Sequence, residues 1–164
     1  MAITSPADLF LFELSGAHDA EKKCTAWKGE MVGQIRDANL QQIMRVEQQE
    51  GQQMVKNLEA CFQALGTQPR DVPCLAVDGM RADYQQFMSQ QPSPEALEMF
   101  TIGASLKLAH YGIGTYRGLV DKAVVMGETR CAQTLQANLV RKEESAGRLE
   151  RIGHDMNQRV MATA

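Results

Sequence analysis

Residues 99–120 constrain the fold more than any other stretch of the chain. Met99, Ile102, Leu106, Ala109, Ile113, Tyr116 and Val120 follow one another at alternating gaps of three and four. That spacing lines one face of an α-helix and excludes a strand, whose faces alternate every second residue. The same rhythm returns in Ile43, Glu47, Glu50, Met54, Leu58, Cys61 and Leu65, and again in Leu135, Leu139, Lys142, Ala146, Leu149 and Ile152. A fourth helical segment starts near Ser5 and runs to about Gln34. No segment shows the alternation of a strand.

The punctuation between these segments is explicit. Ser5-Pro6-Ala7-Asp8 supplies a capping hydroxyl, a first-turn proline and an acid at the positive helix end. A second helix begins around Asp37 to Asn39 and stops at Gly66, a residue suited to a helix C-terminus. Gly66 to Pro73 reads as a loop with two prolines, followed by a shorter helix over about Cys74 to Ser89. Gln91-Pro92-Ser93-Pro94-Glu95 is the clearest boundary, and Gly127 closes the helix it opens. A last helix starts near Thr129. Four long helices and one short one predict an all-α four-helix bundle. The long link before the third long helix allows a crossover connection, the ferritin-like arrangement. At 164 residues the chain is expected to form one domain, residues 1–164, with its core over about 5–156.

Composition narrows the class. A net charge of -3 argues against a nucleic-acid binder working through a basic surface. No basic segment leads into an apolar run, and no stretch has the apolar length to span a membrane, so a cytoplasmic protein is expected. Cys24, Cys61, Cys74 and Cys131 lack CxxC spacing and read as reduced thiols packed as small hydrophobes. Ser105, Ser145 and the cysteines have no nucleophile–base partner in sequence. The ten methionines read as core and interface filler rather than a copper site.

Three carboxylates fall on inward faces. Glu47 and Glu50 lie within the second stripe, and Glu21 sits between Leu14, Ala17 and Cys24. A buried carboxylate has to meet a metal, a cation or a proton. Ferritin-like bundles answer with two metals held by six inward groups, of which this pattern supplies half. Glu21 fits a helix that donates one acid, and Glu47 and Glu50 fit a helix that donates two. The remaining stripes carry Ala109, with Gly112 three later, and Lys142, with Ala146. Lys142 is the candidate neutraliser, its flexible stem able to reach one or two of the acids. Three carboxylates then face one ammonium. A proton, Arg141, His18 or one retained cation has to make up the difference. The competing expectation turns Glu21 and Lys142 to the rim, where they snorkel to water. A one-residue register shift would bring Arg141 or Glu143 inward in place of Lys142.

The third long helix also carries Gly103, Gly112, Gly114 and Gly118. Each glycine within a helix costs about 1 kcal/mol relative to alanine. Four in one helix suggest close approach by another backbone, from a neighbouring helix or a second subunit.

Several of these segments resemble the bacterial YciE/YciF family of ferritin-like proteins. Ala109-His110-Tyr111-Gly112-Ile113-Gly114-Thr115-Tyr116 is similar to that family's Glu-His-Tyr-Glu-Ile-x-x-Tyr run. Glu47-x-x-Glu50-Gly51-Gln52 is similar to its Glu-x-x-His-Gly-Gln, and Asp8-Leu9-Phe10 and Asp19-Ala20-Glu21-Lys22 also match. The resemblance spans roughly Ser5 to Met156. It implies a four-helix bundle with an extra short helix, a homodimer, a link to bacterial stress and, in the family, a dinuclear metal centre. This chain keeps Glu21 and Glu47, has Glu50 for the family His, and has Ala109 and Gly112 for two family glutamates. Lys142 and Ala146 stand where the family tends to have acids. His18, three residues before Glu21, and His110 and Tyr111, in the matched run, are the candidates to support the acids from behind.

The expectation is therefore a non-catalytic bundle with a degenerate metal site at Glu21, Glu47 and Glu50, needing no cofactor and binding neither nucleic acid nor membrane. The alternative is a metal-dependent oxidase, peroxidase or iron-handling protein holding one iron, manganese or zinc ion on those acids. A third reading is a bundle that holds a small apolar ligand between its helices.

Overall fold

A computed structural model describes residues 2–163 of the chain. Five helices follow one another: α1 (Pro6–Val32), α2 (Ala38–Ala64), α3 (Leu75–Met88), α4 (Pro94–Val125) and α5 (Thr129–Thr163). There is no strand among the described residues. The local chemistry sets the boundaries. Ser5 Oγ accepts the Asp8 N–H at 3.1 Å, an Asp37 carboxylate oxygen accepts that of Leu40 at 2.9 Å, and Ser93 Oγ accepts that of Ala96 at 3.2 Å. Each satisfies a donor that the first turn of a helix leaves without an intrahelical acceptor. Gly66 and Gly127 adopt φ values of 65° and 76°, the left-handed turn that ends α2 and α4.

The bundle order is α1, α2, α5, α4 around the axis. On facing α1 and α4, Glu13 meets Lys122 while Met31 meets Ser105, so the two run antiparallel. On α2 and α5, Cys61 meets Cys131 while Glu47 meets Ser145, again antiparallel. The connection from α2 to α4 thus crosses the bundle diagonally, and α3 lies within it. That helix packs across α1 and α4. Its Tyr84 ring sits edge-on to Trp27 at 5.4 Å and shares a 2.8 Å hydrogen bond with Thr101.

Leu14, Leu40, Leu58, Leu108, Leu119, Leu135 and Leu149 fill the middle. A fully buried leucine removes enough apolar surface from water to contribute about 1.5–3 kcal/mol. One buried acid was not anticipated from sequence. Glu98 on α4 accepts the N–H groups of Arg36 and Asp37, at 2.8 and 2.7 Å, and so fixes the α1–α2 turn. No helix of the described chain is long and apolar enough to cross a membrane.

Candidate functional site

Two polar clusters interrupt the apolar core, one above the other along the bundle. The first is centred on Glu21 of α1. Lys142 reaches across the diagonal from α5 and places Nζ 2.9 Å from Glu21 Oε1 and 3.0 Å from Oε2. The Tyr116 hydroxyl of α4 donates to Glu21 Oε1 at 3.1 Å. Asn138 of α5 donates to that hydroxyl oxygen at 3.1 Å and to the Met54 carbonyl at 3.2 Å, and accepts from Asn57 at 2.7 Å. A hydrogen-bonded chain therefore runs from half-buried Asn57 to the buried Glu21.

The second cluster is centred on Glu47 of α2, which is 1% exposed. Lys28 of α1 lies 2.8 Å from Glu47 Oε2, and Ser145 of α5 donates to the same oxygen at 2.6 Å. Arg148 of α5 donates to Glu47 Oε1 at 2.8 Å and also pairs with both oxygens of Glu50. The helix repeat explains the grouping. Glu21 and Lys28 stand two turns apart on one face of α1, while Asn138, Lys142 and Ser145 follow one another on one face of α5.

Electrostatics follow from burial and pairing. Burial pushes the Glu47 carboxyl upward, but Lys28, Ser145 and Arg148 together outweigh it and hold the group at about 2. Burial drives the Lys142 ammonium toward neutrality. Glu21 opposes this and keeps it above the ordinary lysine value. The Tyr116 hydroxyl is raised well above the usual tyrosine range, by burial first and by the Glu21 charge second. The Lys142 ammonium is thus charged where it meets Glu21.

Gly112 makes the first cluster possible. A Cβ at that position would lie 2.7 Å from Lys142 Cε and 2.8 Å from Cδ. The missing side chain is the slot through which the lysine stem passes. Sequence reasoning took Gly112 as a place where another backbone approaches, and the neighbour is instead the Lys142 side chain.

The placement of the other expected residues divides. Lys142, rather than Arg141 or Glu143, faces the core, and Glu143 lies at the surface against Arg117. Glu50 sits at the edge of the cluster, because the buried face of α2 passes through Gly51 rather than Glu50. His18 turns away from Glu21, with its ring edge-on to Phe62 and Nε2 3.5 Å from Glu59. His110 is exposed beside Glu150. Tyr111 borders a void of about 10 Å³ next to Glu21 and Lys142, but its hydroxyl is engaged by Cys74 Sγ at 3.1 Å.

Two functional residues were missed in the sequence. Lys28 lies close in sequence to the basic residues Lys22 and Lys23 and was not singled out, yet it is 3% exposed. Its seven-residue spacing from Glu21 was the available signal. Arg148, six residues after Lys142, carried no comparable mark. With these two the count closes: Glu21, Glu47 and Glu50 face Lys28, Lys142 and Arg148. The expected deficit of positive charge does not exist.

The sequence profile described as "Domain of unknown function (DUF892)" matches residues 5–161. The chain belongs to the DUF892 family. Solved structures with the same fold include the Escherichia coli stress protein YciF, with a TM-score of 0.90 and 18% identity over 95% of this chain and 99% of that one. Another is YcfI of Rhodopseudomonas palustris, described provisionally as a structural protein, with a TM-score of 0.87 and 24% identity over 90% of this chain and 94% of that one. A Xanthomonas campestris protein aligns with a TM-score of 0.76 and 19% identity over 97% and 98% of the two chains. No curated protein matches the chain.

Within this DUF892 bundle the donor set does not fit a dinuclear metal centre. Among the described residues no group of three or more His, Cys, Asp or Glu side chains is arranged to hold an ion. Glu21, Glu47 and Glu50 are each already in contact with a cationic side chain, and a divalent ion placed among them would meet the charges of Lys28, Lys142 and Arg148.

Proposed function

We propose that this DUF892 chain is a non-catalytic, metal-independent bundle protein with a structural or interaction role in the bacterial stress response. The observation that carries the reading is the paired core: ammonium and guanidinium groups lie within hydrogen-bond distance of Glu21 and Glu47, where a metal-dependent relative would need ions. The names of its structural neighbours, a stress protein and a provisional structural protein, support the same reading. A cytoplasmic location is part of the proposal. Glu21, Glu47 and Glu50 are then remnants of a ligand set whose metals have been replaced by Lys28, Lys142 and Arg148.

Elemental mass spectrometry of untagged protein, purified without chelator and then challenged with iron, manganese and zinc, tests this directly. Retained metal should stay well below one ion per chain, and peroxide should not be consumed. A tightly held stoichiometric ion, with peroxide turnover, would install the metal-dependent oxidase or peroxidase in its place.

A further inference from the structure

Cys61 and Cys131 stand opposite each other where α2 ends and α5 begins, and each is 1% exposed. The Cys61 thiol donates to the Cys131 carbonyl at 3.9 Å, and the Cys131 thiol donates to the Cys61 carbonyl at 3.6 Å. Each sulfur therefore lies against the backbone of the other residue. Rotation of the two side chains, rather than movement of either helix, is what separates such a pair from a bridge. The sulfurs already sense each other: burial first, and Cys131 second, push the Cys61 thiol up to about 12. Cys74 differs, its sulfur being engaged by the Tyr111 hydroxyl at 3.1 Å, and Cys24 is buried on α1.

The place of the pair in the fold gives a bond there its effect. Ser145 and Arg148 join α5 to α2 around Glu47, Asn138 meets Asn57 midway, and Cys131 meets Cys61 at the far end. The two cysteines are 70 residues apart in sequence. The diagonal link, α3 and α4 all lie between them. A bond that closes so long a loop restricts the unfolded chain strongly and asks little of the folded one. Burial keeps both sulfurs protonated in the closed bundle, where a thiol is a poor nucleophile. Reaction therefore passes through local opening of these helix ends, the part of a helix that frays first. A small-molecule disulfide supplies the oxidation. One cysteine sulfur attacks it, forming a mixed disulfide and releasing one thiol, and the second cysteine sulfur then displaces the other half. The cysteines give up two protons and two electrons, and the reagent leaves as two thiols.

We infer that Cys61 and Cys131 form a redox-modification site, a buried dithiol that a small-molecule disulfide converts into a cross-link between α2 and α5. The site shares no residue with the paired core, so its failure is separable from failure of the metal-independent reading. The test incubates the full chain near neutral pH with oxidised glutathione, both in buffer and in urea below the unfolding transition. Remaining thiols are then alkylated, and the protein is digested with trypsin and mapped by mass spectrometry without reduction. Asn57–Arg70 and Cys131–Arg141, each carrying one cysteine, should appear joined, with Cys24 and Cys74 alkylated. The cross-linked chain should melt about 5–15 °C above the reduced one, and dithiothreitol should abolish the gain. Cys61→Ala and Cys131→Ala should each lose the joined peptides and the glutathione-dependent rise, whatever their own melting temperatures. Four results would each overturn the inference: no joined peptides in either condition, glutathione retained on Cys61 or Cys131 as a mixed disulfide, a bridge to Cys24 or Cys74 instead, or a cross-linked chain that melts no higher than the reduced one.

Discussion

Lys142 crosses the whole bundle to reach one carboxylate, and its surroundings decide what its loss does. Replacing it with methionine keeps much of the stem in the Gly112 slot and removes the charge. Glu21 would then keep the Tyr116 hydroxyl but lose its ammonium. A buried acid stripped of its cation costs about 3–5 kcal/mol. Urea denaturation of Lys142→Met should show a loss of that order. Glu21→Leu combined with Lys142→Met removes both charges, and apolar replacement of a whole buried pair is often neutral or stabilising. The double variant should therefore be more stable than the single, with strong non-additivity between the two sites. A double variant as unstable as Lys142→Met would mean that the loss came from packing of the lysine stem and not from the stranded acid.

At the scale of the element, two helical glycines separate propensity from space. Gly79 on α3 faces nothing within 4 Å of an added Cβ, so Gly79→Ala should stabilise the protein by about 1 kcal/mol through helix propensity alone. Gly112→Ala receives the same local gain but pushes on the Lys142 stem, and overpacking of this kind costs about 1–3 kcal/mol. Thermal melts of the pair should move in opposite directions. The contrast also explains what the sequence could reveal. Caps at Ser5, Asp37 and Ser93 and turns at Gly66 and Gly127 are local devices, and each sat where the residues indicated. The extents of α1 to α4 and the room for a diagonal link were legible for the same reason. Pairing across the bundle was not. Arg148 meets Glu47 and Glu50 only because α2 and α5 are neighbours, and nothing near Arg148 in sequence says so. Lys28 was hidden by its company, two basic residues that do point outward or to the edge. A stripe read through Glu50 missed the true buried face through Gly51 because the two differ by a single 100° step.

For the molecule as a whole, Glu47 is where acid should act. It belongs to α2, yet its partners come from α1 and α5, so its ionised state joins three of the four long helices. Its carboxyl is held at about 2 in the folded chain, against an ordinary value of 4.5. As pH falls below about 4.5 the unfolded chain takes up the proton first, and folding stability declines until the folded group is also protonated near 2. The stabilisation is complete above that window and gone below it. A displacement of this size corresponds to a loss on the order of 3 kcal/mol. Urea midpoints measured across that range should fall as the solution is acidified. Glu47→Gln should start lower near neutral pH, because Lys28 and Arg148 lose a buried partner, and should then decline less steeply through the window. If the variant kept the wild-type slope, acid sensitivity would lie with other carboxylates. The Glu47 cluster would then be a packing feature rather than the electrostatic tie between helices.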